Sequence, residues 1–254
     1  MPASDATTRF SSRVENYVRY RPGYPHAILD LLHDKCGLTS DSYVADIGFG
    51  TGLFTRLLLE NGSTVVGVEP NLEMRKAGET FLADFPRFRA VPGTAEDTTL
   101  PDHGVDLVTA AQAAHWFAHE KARREFQRIL KPGGWVVLLW NERITDSTAF
   151  LIGYEKLLLQ YGTDYAEIRH ERTTDVISEF FSPSPYEERT FPMRQTFDLP
   201  ALEGRVFSSS YTPQPGDPNF EPLKRDLGEL FHRCQTDGNV AFEYWTRVFY
   251  GRVS

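Results

Sequence analysis

The sequence predicts an α/β protein: a doubly wound, mostly parallel sheet covered by helices on both faces. Three observations lead there. Short, β-branched apolar runs alternate with segments of helical periodicity between residues 41 and 142, the pattern of buried parallel strands joined by crossover helices. A glycine-rich turn, Gly48-Phe49-Gly50-Thr51-Gly52, joins the first run to the first of those helices. A second breaker, Pro132-Gly133-Gly134, separates a helical face from an apolar strand.

The elements follow in order. Residues 1–12 are small and polar, as frayed termini are. Residues 14–21 lead into a Pro22-Gly23-Tyr24-Pro25 turn, and Ile28, Leu29, Leu31 and Leu32 mark a short helix ending near Gly37. Residues 43–47 are the first strand, and Leu53, Leu57 and Leu58 share a helix face over 52–60, stopped by Asn61-Gly62. Residues 64–68 are the second strand; Asn71 is placed to cap a helix carrying Leu72, Ala77 and Phe81. Strands follow at 88–91 and 105–110. Ala122, Phe126, Ile129 and Leu130 form the next helix face, and 135–140 is the fifth strand. Beyond 142 the pattern weakens to a helix at 150–161, a strand at 188–197, a helix at 220–235 and an aromatic-rich strand at 240–250. Residues 1–254 are read as one domain, with its ligand-binding core at about 41–142 and the remainder covering it.

The bulk composition narrows the partners. A net charge of -8 speaks against a nucleic-acid backbone as the main partner. Cys36 and Cys234 stand far apart and read as free thiols of a reducing compartment. No apolar run approaches the roughly 20 residues of a membrane span, and Met1 to Thr8 lack an apolar signal core. The expectation is a cytoplasmic protein, monomer or homodimer, without membrane or nucleic-acid partner. The histidines and cysteines are scattered, so no metal site is expected.

The glycine run carries the chemistry. Strand, glycine turn and helix N-terminus bring backbone N–H groups close to a ligand. The spacing is Gly-x-Gly-x-Gly, unlike the Gly-x-Gly-x-x-Gly of dinucleotide sites, and no Gly-Lys-Ser/Thr completes a phosphate loop. Glu69 closes the second strand, where an acid accepts hydrogen bonds from both hydroxyls of a ribose; the alternative is a solvated strand end.

Val44-Ala45-Asp46-Ile47-Gly48-Phe49-Gly50-Thr51-Gly52 resembles motif I of class I S-adenosylmethionine (SAM)-dependent methyltransferases, and Gly67-Val68-Glu69-Pro70 resembles their second motif. Gly93-Thr94-Ala95-Glu96-Asp97, Val105-Asp106-Leu107-Val108 and Leu130-Lys131-Pro132-Gly133-Gly134 resemble later segments of the same family, in the same order. Tyr20-Arg21-Pro22-Gly23-Tyr24-Pro25, Ala113-Ala114-His115-Trp116-Phe117 and Trp140-Asn141 look like a small-molecule subgroup, the trans-aconitate methyltransferase-like proteins. Ala118 departs from it, where an acidic residue is common, and Phe49 takes a position often small or polar.

The resemblance implies a Rossmann-like, seven-stranded sheet with an antiparallel last strand, and SAM as cofactor. It implies that Asp46, Gly48, Gly50 and Gly52 surround the methionine portion, with Phe49 affecting the packing there. Glu69 would hold the ribose, Pro70 and Ala95 the adenine faces, Glu96 its amine, and Ala111 and Gln112 the other side of the cofactor. Tyr20 and Arg21, with Tyr17, come from a segment that closes over the cofactor; Arg21 suits a SAM or substrate carboxylate, or else a surface ion pair.

SAM carries its own leaving group, so the protein must chiefly align a nucleophile and exclude water. An acceptor that starts protonated also needs a base. His115, just after the fourth strand, is the candidate, the alternative being a histidine that orders its loop. Trp116 could face the sulfonium through its ring or simply fill the core. Arg143, Tyr165, Arg169, His170, Tyr211 and Arg247 are candidates for a substrate pocket, and several arginines would suit an anion. The reading is methyl transfer to a small molecule, such as a carboxylate. A nicotinamide oxidoreductase, a SAM-binding module without turnover and a nucleic-acid methyltransferase are the alternatives. The glycine spacing opposes the first, and the acidic balance opposes the last.

Overall fold

The computed structural model describes residues 20–163, 165 and 173–253. Seven strands form one sheet: β1 (Tyr43–Ile47), β2 (Thr64–Val68), β3 (Phe88–Val91), β4 (Val105–Ala111), β5 (Leu130–Arg143), β6 (Tyr186–Phe197) and β7 (Val240–Gly251). Their order is β3-β2-β1-β4-β5-β7-β6. The first five pair in parallel, and β7 runs antiparallel to both β5 and β6. This is the predicted α/β sheet with its antiparallel last strand.

The helices are α1 (Ala27–Cys36), α2 (Leu53–Glu60), α3 (Leu72–Phe81), α4 (His119–Ile129), α5 (Ala149–Tyr161), α6 (Thr173–Phe181), α7 (Leu199–Phe207) and α8 (Phe220–Cys234). Strand alternation sorts the core into two layers. Val44, Val65, Leu107, Val137, Leu139 and Val248 pack against α1 and α2 through Ile28, Leu32, Phe54 and Leu58. Ala45, Val66, Val108, Ala110, Val136 and Leu138 meet α4 and α6 through Ala122, Phe126, Ile129, Ile177 and Phe180. A third cluster joins α5, α7 and α8 to Phe197, Val240, Phe242 and Tyr244. It forms a cap beside the main sheet.

Local chemistry fixes the helix ends. The Asn71 carboxamide oxygen accepts the N–H groups of Glu73 and Met74 at 2.9 and 3.0 Å, the cap expected for α3. Thr148 caps α5 through the Leu151 N–H, and Asp198 caps α7 through the Ala201 N–H. The short helices α6 and α7 were not expected. Ile177, Phe180 and Phe181 put an apolar stripe on α6, and α7 follows β6 at once through its Asp198-Leu199-Pro200 start.

Leu130 is a correction. It was expected on the helix face, yet it begins β5, opposite Val105. Residues 131–134 then bulge out, and pairing resumes at Trp135 opposite Leu107. A side chain at Gly134 would meet Leu130 and the Asp106 carbonyl, so the strand holds Leu130 at its edge while the turn passes outside.

Strand order reverses between β1 and β4. The loops leaving their carboxyl ends therefore turn to opposite faces, α2 to one and α4 to the other, and open a crevice between them. No described helix is long and apolar enough to cross a membrane.

Candidate active site

The glycine turn fills one wall of the crevice. The Gly48 N–H donates to the Val68 carbonyl at 2.8 Å, and the Gly52 N–H to the Phe49 carbonyl at 2.9 Å. Gly48 has φ +68°, and a Cβ there would lie 2.7 Å from Cβ of Ala113. The turn after β1 thus touches the loop after β4 through glycine alone. Gly52 precedes α2 and offers it no side-chain cap, which leaves the helix head open to a polar ligand.

Glu69 supports the turn from beneath. Its carboxylate accepts the Gly50 N–H at 3.1 Å and the Asn71 N–H at 2.9 Å, while Arg75 donates to the Glu69 carbonyl at 2.7 Å. Burial raises its pKa, opposed by those two N–H groups and by Arg75. Each carboxylate oxygen has room for a further donor.

Asp46 lies deeper. It is 1% exposed, and both oxygens accept hydroxyls, from Thr55 at 2.6 Å and Thr109 at 2.7 Å. Burial pushes its pKa up to about 6 against those two bonds, and Glu69 adds to the rise. It braces β1 between α2 and β4. The Phe49 ring packs where Cβ atoms of Gly67 and Gly78 would be, edge-on to Phe88. It therefore fills the space between β2 and α3, while its backbone stays in the turn.

The opposite wall follows β4. Gln112 adopts φ +59°, and its N–H donates to the Leu139 carbonyl at 2.9 Å. A left-handed non-glycine residue costs about 1–2 kcal/mol, a strain typical of functional loops. The Gln112 amide reaches the Asn141 carbonyl at 3.4 Å. A 3-10 turn then carries Ala114–Trp116. The His115 ring lies 4.7 Å from that of Trp116 and 6.2 Å from that of Trp140. Burial pushes His115 down to about 4, and its Nδ1 is buried without a hydrogen-bond partner. Trp116 is exposed.

Ala95 is buried in the layer that holds Val68, and Pro70 is exposed just past Glu69. The Glu96 carboxylate accepts the Ala118 N–H at 2.7 Å. It thereby supplies, from a distant loop, the acid that Ala118 lacks at the start of α4. The strap at 20–25 crosses the top: Tyr20 packs on Gly204, the Arg21 carbonyl accepts from Gln195, and the Gly23 carbonyl accepts from Asn141.

The comparisons with known proteins fit this geometry. Residues 45–138 match the methyltransferase domain family Methyltransf_11. A methyltransferase-like protein of Schizosaccharomyces pombe is 35% identical over 245 residues, 94% of this chain and 93% of that one. The chain belongs to the methyltransferase family. A Mycobacterium bovis methyltransferase is 40% identical over 139 residues, covering 55% of this chain and 54% of its own. Among solved structures, a candidate type II methyltransferase from Anaeromyxobacter dehalogenans aligns at TM-score 0.65 and 21% identity, over 92% of this chain and 98% of that chain. The [4+2]-cyclase SpnF aligns at TM-score 0.56 and 13% identity, over 98% and 95%. These structural likenesses concern the fold, which hosts more than one chemistry.

In this methyltransferase the remaining candidates separate. Arg143, Tyr165 and Tyr211 come together in the cap; Arg247 sits apart, on Glu188 and Glu142. Tyr17, Arg169 and His170 lie outside the described residues. The sequence reading missed Thr51, whose buried hydroxyl has no partner at the head of α2, and Arg205. Among the described residues no group of three or more His, Cys, Asp or Glu could hold a metal.

Proposed function

We propose that this methyltransferase moves the methyl group of SAM to a small-molecule acceptor. The observation that carries the reading is the Glu69–Gly50 contact: one buried carboxylate, with spare acceptor capacity, fastened to the glycine turn at an uncapped helix head. The residues present suit SAM. Glu69 would take the ribose hydroxyls. The orphaned Thr51 hydroxyl and the open end of α2 would meet the polar end of its methionine portion. Ala95 and Pro70 would flank the adenine.

SAM supplies a methyl already bound to a sulfonium leaving group. What remains for the chain is to align the acceptor and keep water out, which can contribute several kcal/mol. The strap at 20–25, tied to Asn141, Gln195 and Gly204, covers that side of the crevice. His115, held neutral by burial, has a free Nδ1 with which to orient an acceptor or take its proton. A carboxylate acceptor needs no base, and so weak a base fits an acceptor of that kind. Incubation with methyl-labelled SAM and fractionated small-molecule extracts tests this. Label in a small methyl ester, released as methanol by mild alkali, is the expected result; label confined to macromolecules, or none from a folded, SAM-binding protein, overturns it.

A further inference from the structure

Asn141, near the end of β5 beside the crevice, is bonded on three sides. Its Nδ2 donates to the Gly23 carbonyl of the strap at 3.1 Å. Its Oδ1 accepts the Thr246 hydroxyl of β7 at 2.6 Å, and its main-chain carbonyl accepts the Gln112 carboxamide at 3.4 Å. These partners determine how the side chain is turned. A carbonyl only accepts, so the amide nitrogen faces Gly23 and the oxygen faces Thr246, whose hydroxyl then donates. Thr246 is 0% exposed and lies opposite Asn141 in the β5–β7 ladder. It holds the carboxamide from within the sheet.

The Gln112 bond links Asn141 to the opposite wall. The Gln112 N–H donates to the Leu139 carbonyl, just past the Ala111–Leu139 pair that ends β4. With φ +59° the backbone then leaves the strand. The Gln112 side chain takes the Asn141 carbonyl, two residues on, which in a continued parallel ladder would receive the next backbone N–H. The loop that bears His115 and Trp116 thus starts from the residue that holds the strap. The strap is stiff: Pro22, which is buried, and Pro25 fix φ on either side of Gly23. The carbonyls of Arg21 and Gly23, two residues apart, accept from Gln195 at 3.4 Å and from Asn141 at 3.1 Å.

We infer that Asn141 is a positioning residue for the methyl transfer. It ties the strap to the loop after β4, so that the seating of the strap over the crevice and the order of the loop carrying His115 depend on each other. The inference rests on the methyl-transfer reading, which makes the crevice the reaction site. An aspartate in its place keeps the shape and the acceptor for Thr246, but sets a carboxylate oxygen against the Gly23 carbonyl, where neither can donate. The strap then loses its tie, while the main-chain carbonyl that receives Gln112 is chemically unaltered. A change in the loop after β4 must therefore arrive through the tie.

Hydrogen–deuterium exchange of the full-length, ligand-free protein tests this, together with stopped-flow dissociation of S-adenosylhomocysteine. In Asn141→Asp, peptides covering 20–29 and 110–118 should both exchange at least tenfold faster than in the parent, with 64–68 unchanged. S-adenosylhomocysteine should leave this variant at least tenfold faster. Thr246→Val, which removes the hydroxyl that orients Asn141, should speed both segments and ligand release at least threefold. Thr246→Ser, which restores the hydroxyl, should stay within twofold of the parent. Acceleration of 20–29 alone would overturn the coupling. Unchanged ligand release in Asn141→Asp, or Thr246→Ser behaving like Thr246→Val, would reduce Asn141 to packing and overturn the inference. Acceleration spread evenly to 64–68 in both Asn141→Asp and Thr246→Val would show a loss of stability alone and overturn it too. Failure of the unaltered protein to bind S-adenosylhomocysteine would instead strike the methyl-transfer reading, and the exchange measurements, which need no ligand, would still decide the tie.

Discussion

The Glu69 carboxylate accepts the Gly50 N–H at 3.1 Å, so the end of β2 holds the glycine turn that follows β1. The same carboxylate takes the Asn71 N–H, whose side chain caps α3. One buried acid therefore fixes two loops and keeps lone pairs for a ligand. Glu69→Ala should weaken S-adenosylhomocysteine at least tenfold, as loss of about 1.4 kcal/mol or more would. Calorimetry checks this. Unchanged affinity would remove Glu69 from the ribose role.

Gly48 makes the contact between the two walls. With φ +68° and a hypothetical Cβ 2.7 Å from Ala113, Gly48→Ala brings both strain and a clash. A loss of about 1–3 kcal/mol in urea unfolding is expected, with weaker cofactor binding. A variant as stable as the parent would show that the loop after β4 yields freely.

Asp46 predicts a pH effect with a definite sign. Its folded pKa, about 6, lies above the ordinary carboxylate value. The stability it contributes is present in full only below its ordinary value of 3.8 and is lost as pH rises from there through 6. Asp46→Asn stays neutral. The advantage of the parent over the variant should therefore shrink from pH 4.5 to 7.5, by about 2 kcal/mol. Denaturant unfolding of the ligand-free proteins measures this, and an advantage that grows with pH would contradict the assignment.

His115 should remain neutral throughout the physiological range. Its burial beside Trp116 and Trp140 pushes the imidazole down to about 4. An NMR titration of the imidazole carbons should find a midpoint well below 5.5. A midpoint near 6.5 would mean that solvent reaches the ring.

Most of the sheet was legible because it is locally written. β1, β2, β3, the stop of α2 at Asn61-Gly62 and the cap of α3 sit in short runs where period, glycine and Asn71 agree. Glu69 could be placed because a strand end fixes its direction. Phe49 shows the limit. Its ring goes where Gly67 and Gly78 leave room, and nothing near Phe49 in sequence announces those two glycines. Thr51, Asn141 and Arg205 matter through partners far away in sequence or through the want of one. Glu96 is similar, since its reach to Ala118 spans two elements. The start of β5 at Leu130 was hidden because helical spacing ran on past the true helix end.

Calorimetric titration of S-adenosylhomocysteine into the ligand-free protein, with NADH as comparison, tests the central claim most directly. One site per chain for S-adenosylhomocysteine, weakened at least tenfold by Glu69→Ala, and no heat from NADH, is the predicted result. Saturable NADH binding, with none for S-adenosylhomocysteine, would contradict it.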